Sequence, residues 1–211
     1  FYNTVFFNGR QWPVSCNQVL FYNGGNSGVQ EGQATLTGYM LFKRFNRSVS
    51  LTNPGVASQF RPSIIFRLAD FYLMYAEAAN EVNPNDVRVL KYLNLVRERA
   101  GLPGVETLNP AIRGNQELQR AAIQRERQVE LATEGQRYFD VRRWMIADKN
   151  GEGRQNGYAH GMNVRGEPND IDDFNRVVEA SQIVFNRKMY LYPMPDSEMR
   201  KTKNLVQNPG W

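Results

Sequence analysis

The chain has 211 residues, enough for one domain or two small ones, and its 41% hydrophobic and 12% aromatic content supports a packed core. The net charge of +5 is mild, and the arginines alternate with glutamates instead of forming a block, which argues against a nucleic-acid-binding role. One cysteine, Cys16, excludes an intramolecular disulfide, and one histidine, His160, leaves too few soft ligands for a zinc site.

Residues 1–60 are rich in Gly, Asn, Ser and aromatics and show no sustained helical period. Asn23-Gly24-Gly25-Asn26-Ser27-Gly28 is a turn-forming cluster, with short strands expected at Val19–Tyr22 and within Thr35–Phe45. A helix is expected from Pro62, a favoured first helical residue, to Asn83-Pro84. Its stripe of Ile64, Leu68, Phe71, Tyr72, Tyr75 and Ala79 is widened by Ile65, Ala69, Leu73 and Ala76, as in a helix buried in a bundle. A second helix, Asp86–Ala100, carries the seam Val89, Leu93, Val96, Ala100 and stops at Gly101. The short connection makes the pair an antiparallel hairpin. A third helix runs from Asn115 to Glu134, Gly135 breaks it, and a fourth covers Arg137–Ala147. Residues 149–170 read as a long Gly- and Asn-rich loop containing Tyr158 and His160. Strand character follows at Val177–Phe185 and Lys188–Tyr192, then a short helix at 196–201. No apolar run approaches the roughly 18 residues of a membrane-spanning helix.

The third helix holds the most informative stretch. From Ile123, the positions sharing one face are Glu126, Arg127, Glu130, Leu131 and Glu134. Such a face can be buried only if each charge finds a partner. Arg137, Asp140, Arg142 and Arg143, just downstream, are the candidate partners. Glu126 and Glu130, one turn apart, also invite a reading as the carboxylate pair of a glycoside hydrolase. Neighbouring arginines would lower their pKa values and oppose a proton-donor role. The preferred reading is a structural ion-pair network of Glu126, Arg127, Glu130, Arg137, Asp140 and Arg143, with no catalytic residue.

Four segments together resemble the SusD/RagB family. They are Arg67-Leu68-Ala69-Asp70 through Tyr75-Ala76-Glu77-Ala78-Ala79-Asn80, and Leu93-Asn94 to Arg97-Glu98-Arg99-Ala100-Gly101. The third is the Glu126–Trp144 charged stretch. The fourth is Tyr192-Pro193-Met194-Pro195 with Glu198 and Asn204-Leu205 to Gln207-Asn208-Pro209-Gly210. The resemblance covers about residues 35–211. It implies a mainly α fold: tetratricopeptide-like helical hairpins with an irregular loop-rich lobe and a few short strands. It also implies a lipid-anchored outer-membrane protein at the cell surface, without cofactor, that captures oligosaccharide, or in some members peptide. The ligand is then delivered to a SusC-like TonB-dependent β-barrel transporter. The chain has no lipid-bearing amino-terminal cysteine, starts at Phe1 and is shorter than members of that family, so it is expected to be the carboxyl-terminal part of something longer. Within it, 1–60 is expected as a loop-rich variable segment, 61–148 as the helical scaffold, and 149–211 as a loop, short strands and closing tail packed on that scaffold, all in one domain.

Trp12 with Arg10, and Tyr22 with Asn23, have the composition of a sugar-contacting surface in the variable segment. Aromatic planes stack on sugar C–H faces while Arg and Asn bind hydroxyls. The alternative is that these rings pack the lobe, as large aromatics usually do. The acidic run Asn169-Asp170-Ile171-Asp172-Asp173 fails the pattern of a calcium loop and reads as a solvated turn. A helical-repeat scaffold that binds only protein is the rival to the nutrient-binding reading.

Overall fold

The computed structural model describes residues 1–12, 18–29, 35–46, 63–150 and 155–211. The chain divides into two compact units, one made of residues 62–139 and one joining 1–61 to 140–211. The segments at the two ends of the sequence therefore share one unit.

In the helical unit, α1 (Leu68–Val82) and α2 (Val87–Arg99) form a hairpin, and α4 (Gln116–Glu130) packs on both. The short helix α3 (Val105–Leu108) and a 3₁₀ turn at Pro110–Ile112 fill the connection. Leu73 and Ala76 of α1, Val89 and Leu93 of α2, and Ile123 of α4 are fully buried in one core. Each such aliphatic side chain contributes roughly 1.5–3 kcal/mol of burial before conformational entropy is subtracted. Asp86 caps α2 by accepting from the Arg88 amide at 2.9 Å. At the other end Leu102 N–H reaches the Arg97 carbonyl and Gly101 N–H the Glu98 carbonyl, both at 2.9 Å, with Gly101 at φ +74°. This is the glycine-terminated helix end that the sequence suggests. Asn94 ties α2 to α3: its Oδ1 accepts from Val105 N at 3.1 Å and its Nδ2 donates to Glu106.

Two helix boundaries differ from the periodicity. Residues 63–67 are not helical, and α1 starts at Leu68, while Pro62 lies outside the described residues. The backbone at Arg67 is extended because its guanidinium is drawn to Glu130 and Glu134. The third predicted helix ends at Glu130, since Thr133 adopts φ +67° and Gly135 φ +86° before α5 (Gln136–Arg143) begins.

The loop-rich unit holds two small antiparallel sheets. β1 (Val5–Phe6) pairs with β2 (Met40–Leu41), placing Val5 opposite Leu41 and Phe6 opposite Met40. β3 (Gly157–Met162) pairs with β4 (Val177–Ile183), with a register shift between Ala159 and His160. Short helices α6 (Ile171–Phe174) and α7 (Asp196–Met199) and a 3₁₀ turn at Arg187–Tyr190 complete it. β3 falls inside the stretch expected to be a loop. Gly161 explains it: a Cβ there would lie 2.5 Å from Thr37 Cα, so only glycine lets β3 come this close to residues 35–38. The Met162 amide then donates to the Thr37 carbonyl at 3.0 Å. Conversely, Val19–Tyr22 is not a strand. Val19 exchanges single bonds with Arg10 and Gly9, beside an isolated antiparallel bridge between Gln11 and Gln18. The second strand expected at Lys188–Tyr192 is mostly the 3₁₀ turn.

Candidate functional site

The core of the loop-rich unit is built from rings. Phe6, Phe21, Phe42 and Phe174 are buried together with Val19 and Val164. Trp12 stacks on Phe6 with centroids 5.0 Å apart and planes 8° apart, and meets Phe45 edge-on at 4.7 Å. Tyr22 packs against the same cluster. Asn23 donates from Nδ2 to the Gly166 carbonyl at 2.8 Å, and its own carbonyl accepts from Asn169 N at 2.7 Å. Trp12, Tyr22 and Asn23, three of the four residues singled out in this segment, thus lie among the packing and turn contacts of the unit.

Arg10 has a different place. Its guanidinium sits 3.8 Å from the Phe42 ring centroid and 5.1 Å from that of Phe6, and 5.9 Å from Phe7. Its Nη1 donates to the Val5 carbonyl at 2.7 Å and to the Tyr2 carbonyl. One side chain therefore joins the buried rings to the backbone of Tyr2 and of β1.

Those outer rings are Phe1, Tyr2, Phe7 and Tyr39. Tyr2 is 70% exposed, with its ring edge-on to Phe7 at 5.6 Å and to Phe1 at 5.7 Å. Phe1 in turn meets Tyr39 at 6.2 Å. Phe6, on β1, is buried, whereas Phe7, just past the end of β1, is half-buried. The result is a surface of aromatic rings held over a packed aromatic core. The sequence offers no periodic signal for Phe7, since Val5-Phe6-Phe7 is a continuous apolar run, and none for Tyr39, which directly precedes β2 and is brought there by the pairing of β1 with β2.

The charged group on α4 has a clear geometry. Glu126 Oε2 accepts from Arg97 Nη1 at 2.8 Å, and Arg127 Nη1 donates to Asp70 Oδ1 at 2.9 Å with both side chains 3% exposed. Glu130 Oε1 accepts from Arg67 and Arg99, each at 2.6 Å, and Glu134 accepts from Arg67 at 2.7 Å. These partners come from upstream, on and just before α1 and α2, because those are the helices that α4 faces. Bonding to Glu134 and Glu130 outweighs partial burial and raises the pKa of Arg67. Arg137 is half-buried in the first turn of α5. Asp140 belongs to the other unit, where its Oδ1 accepts from Arg143 Nε and Nη2 at 3.0 and 2.8 Å.

In the acidic run, Asp170 caps α6 and accepts from Asp173 N at 3.0 Å. Asp173 accepts from Glu167 N at 2.8 Å, from Arg176 at 2.6 Å and from Asn163 at 3.1 Å. The Glu167 amide first, and then Arg176, hold its carboxyl below the usual range. Among the described residues no group of three or more His, Cys, Asp or Glu converges as a metal site. Tyr158 and His160 are exposed on β3.

Residues 1–211 match the sequence profile of the SusD family. The chain belongs to the SusD family. It is 31% identical over 151 residues to SusD-like protein P2 of Formosa agariphila, a match covering 70% of this chain and 26% of that relative. A crystal structure of a SusD-like protein from Bacteroides fragilis aligns with all of the SusD-family chain and 38% of its own, at TM-score 0.79 and 28% identity. A second B. fragilis structure, titled a SusD-like carbohydrate binding protein, aligns with 96% of this chain and 40% of its own, at TM-score 0.70. Its 24% identity supports the fold alone. The mainly helical architecture with a few short strands is that of SusD-like crystal structures. The chain thus spans about a quarter of the curated relative and under half of the solved ones.

Proposed function

We propose that this chain belongs to a cell-surface protein that captures oligosaccharide and hands it to a SusC-like TonB-dependent transporter in the outer membrane, without catalysing any reaction. The observation that carries the reading is the outer ring surface of Phe1, Tyr2, Phe7 and Tyr39, with Arg10 bonded to the Tyr2 and Val5 carbonyls and facing the Phe7 ring. Phe1 and Tyr2 are exposed and Phe7 and Tyr39 half-buried; rings fixed by packing can stack on sugar faces without losing side-chain freedom on binding. Membership of the SusD family supports a nutrient-binding role of this kind. The carboxylates of α4 support binding over hydrolysis, since Glu126 and Glu130 both accept from guanidinium groups. Transporter partnership and cell-surface placement rest on family membership.

Calorimetric titration of the chain with an oligosaccharide panel tests the reading. Tyr2→Ala and Tyr39→Ala should each weaken glycan binding about fivefold, as expected for loss of roughly 1 kcal/mol of ring contact. Trp12→Ala should act mainly through stability. Unchanged glycan affinity in the Tyr2→Ala/Tyr39→Ala double variant would overturn the assignment of this surface. Binding of peptides and no glycan would favour the peptide-capturing alternative.

A further inference from the structure

The loop-rich unit contains a cavity of about 770 Å³ remote in sequence from the ring surface, between the end of α5 and the carboxyl-terminal tail. Four cations line it, Arg142, Arg143, Arg187 and Lys188, together with the apolar surfaces of Leu191 and Tyr190, and no carboxylate is among the lining residues. Three of these cations, Arg142, Arg143 and Lys188, are held by their surroundings, and Arg187 is exposed. Arg142 donates to Gln155 and lies 4.9 Å from the Phe185 ring centroid. Arg143 is oriented by Asp140. The Lys188 ammonium sits 4.2 Å over the Trp211 ring, and Trp211 Nε1 donates to the Lys188 and Leu191 carbonyls at 3.1 and 3.0 Å. The nearby carboxylate Asp148 accepts from the Tyr190 hydroxyl at 2.6 Å. Among the described residues, Arg187 and Lys188 have no carboxylate within ion-pair distance.

We propose that this cavity binds the acidic group of a charged oligosaccharide, a carboxylate or a sulfate ester, with the sugar body against its apolar wall. Converging guanidinium and ammonium groups recognise such anions through charge-assisted hydrogen bonds, and the apolar lining suits a ring face more than a small hydrated ion. The volume falls in the range of small-ligand pockets, roughly 300–1,000 Å³. The sugar part of this inference rests on the oligosaccharide reading above, whereas the anion part stands on the cavity alone.

The experiment is calorimetry on the 211-residue chain with three hexasaccharides: an oligogalacturonate, a sulfated galactan and neutral maltohexaose. Sodium glucuronate and sodium sulfate serve as free-anion probes. Arg187 is exposed and Lys188 half-buried, so Arg187→Gln/Lys188→Gln should leave the fold intact, checked by its melting curve. At least one charged hexasaccharide should bind, more weakly at high salt, and about tenfold or more weakly to the double variant. The oligogalacturonate and galactan arms distinguish carboxylate from sulfate. Equal affinity of the double variant for the charged sugars would overturn the proposal, as would free sulfate or glucuronate binding as tightly as the hexasaccharide. Charged-sugar binding lost only in Tyr2→Ala/Tyr39→Ala would sink the cavity and leave the ring surface standing. Charged-sugar binding lost only in the Arg187/Lys188 variant would do the reverse.

Discussion

In the helical unit, charges lie inside: Asp70 and Arg127 meet at 2.9 Å beside an aliphatic core of Leu, Val, Ile and Ala, and Asn80, Gln119 and Glu126 are buried with them. In the loop-rich unit rings lie inside, and cations meet them through ring faces: Arg10 over Phe42 and Phe6, where it also bonds backbone carbonyls, and Arg142 over Phe185. Regular helices satisfy their own backbone groups, so their side chains are free to make specific cross-links between helices. Irregular backbone has no such ladder. There, asparagine side chains hold the loops: Asn8 to Phe21, Asn26 to Leu20 and Gln18, Asn156 to Phe185 and Asp148. Large aromatics supply the buried area that short strands cannot. The helical unit thus carries the ion pair buried at both partners, while the unit built from loops carries both candidate binding surfaces.

The sharpest break in this contrast comes from Asp70→Ala, which removes one carboxylate from a buried guanidinium. It should cost about 3–5 kcal/mol, the range for breaking a buried pair from one side. Urea unfolding followed by helical circular dichroism reads it, since α1, α2 and α4 are the long helices. Replacing both partners, Asp70→Leu with Arg127→Met, should recover much of the loss. A cost below about 1 kcal/mol for Asp70→Ala would show that the pair is not integral to this core.

Phe6→Ala is the counterpart in the other unit, with an expected cost of about 3 kcal/mol for a truncated core ring. All three tryptophans, Trp12, Trp144 and Trp211, belong to the loop-rich unit. Tryptophan fluorescence therefore reports that unit, and the Phe6→Ala transition should move in fluorescence more than in helical dichroism. Equal movement of both signals would mean the two units unfold together.

The same contrast explains what could be read from sequence. The 3.6-residue period marked α1, α2 and α4 and the buried face at Ile123, Glu126 and Arg127, because a helix writes its environment into one continuous segment. It did not identify who faces that segment: Arg97 and Asp70 are supplied by helix packing, which no local pattern encodes. In the loop-rich unit the period fails at the first step. β3 carries a bulge, and its exposed Tyr158 and His160 are flanked by Gly157 and Gly161, so its pattern resembles a loop. Trp12 looked like a contact residue because tryptophan in a polar stretch is conspicuous. Its stacking on Phe6 depends on a turn between them that composition does not specify.

A smaller effect tests the regularity of the helical side. Gly101 sits at φ +74° in open space, so Gly101→Ala is opposed by backbone conformation and not by a clash. The expected loss is about 1 kcal/mol, read by the same dichroism-monitored unfolding. Stability unchanged by the substitution would mean that α2 can end equally well without the left-handed residue.

The smallest effect belongs to the loop-rich side and depends on pH. The Tyr190 hydroxyl holds the Asp148 carboxyl below its ordinary range, with Arg187 adding to the effect. Burial first, and then the bond to Asp148, raise the Tyr190 pKa. A lowered carboxyl pKa means the unfolded chain binds the proton more readily, so this stabilisation is present above the ordinary carboxylate range and fades as pH falls through the lowered value. A raised phenol pKa means the folded chain holds its proton longer, so that contribution is present below the ordinary tyrosine range and fades as pH rises through the raised value. Fluorescence-monitored urea midpoints should therefore be flat near neutrality and fall at both extremes. Tyr190→Phe deletes the bond and the titrating phenol together, so it should flatten the alkaline limb and reduce the acid limb. An acid limb identical in Tyr190→Phe would assign it to other carboxylates of the unit, with Asp173, held low by the Glu167 amide and Arg176, the first to substitute.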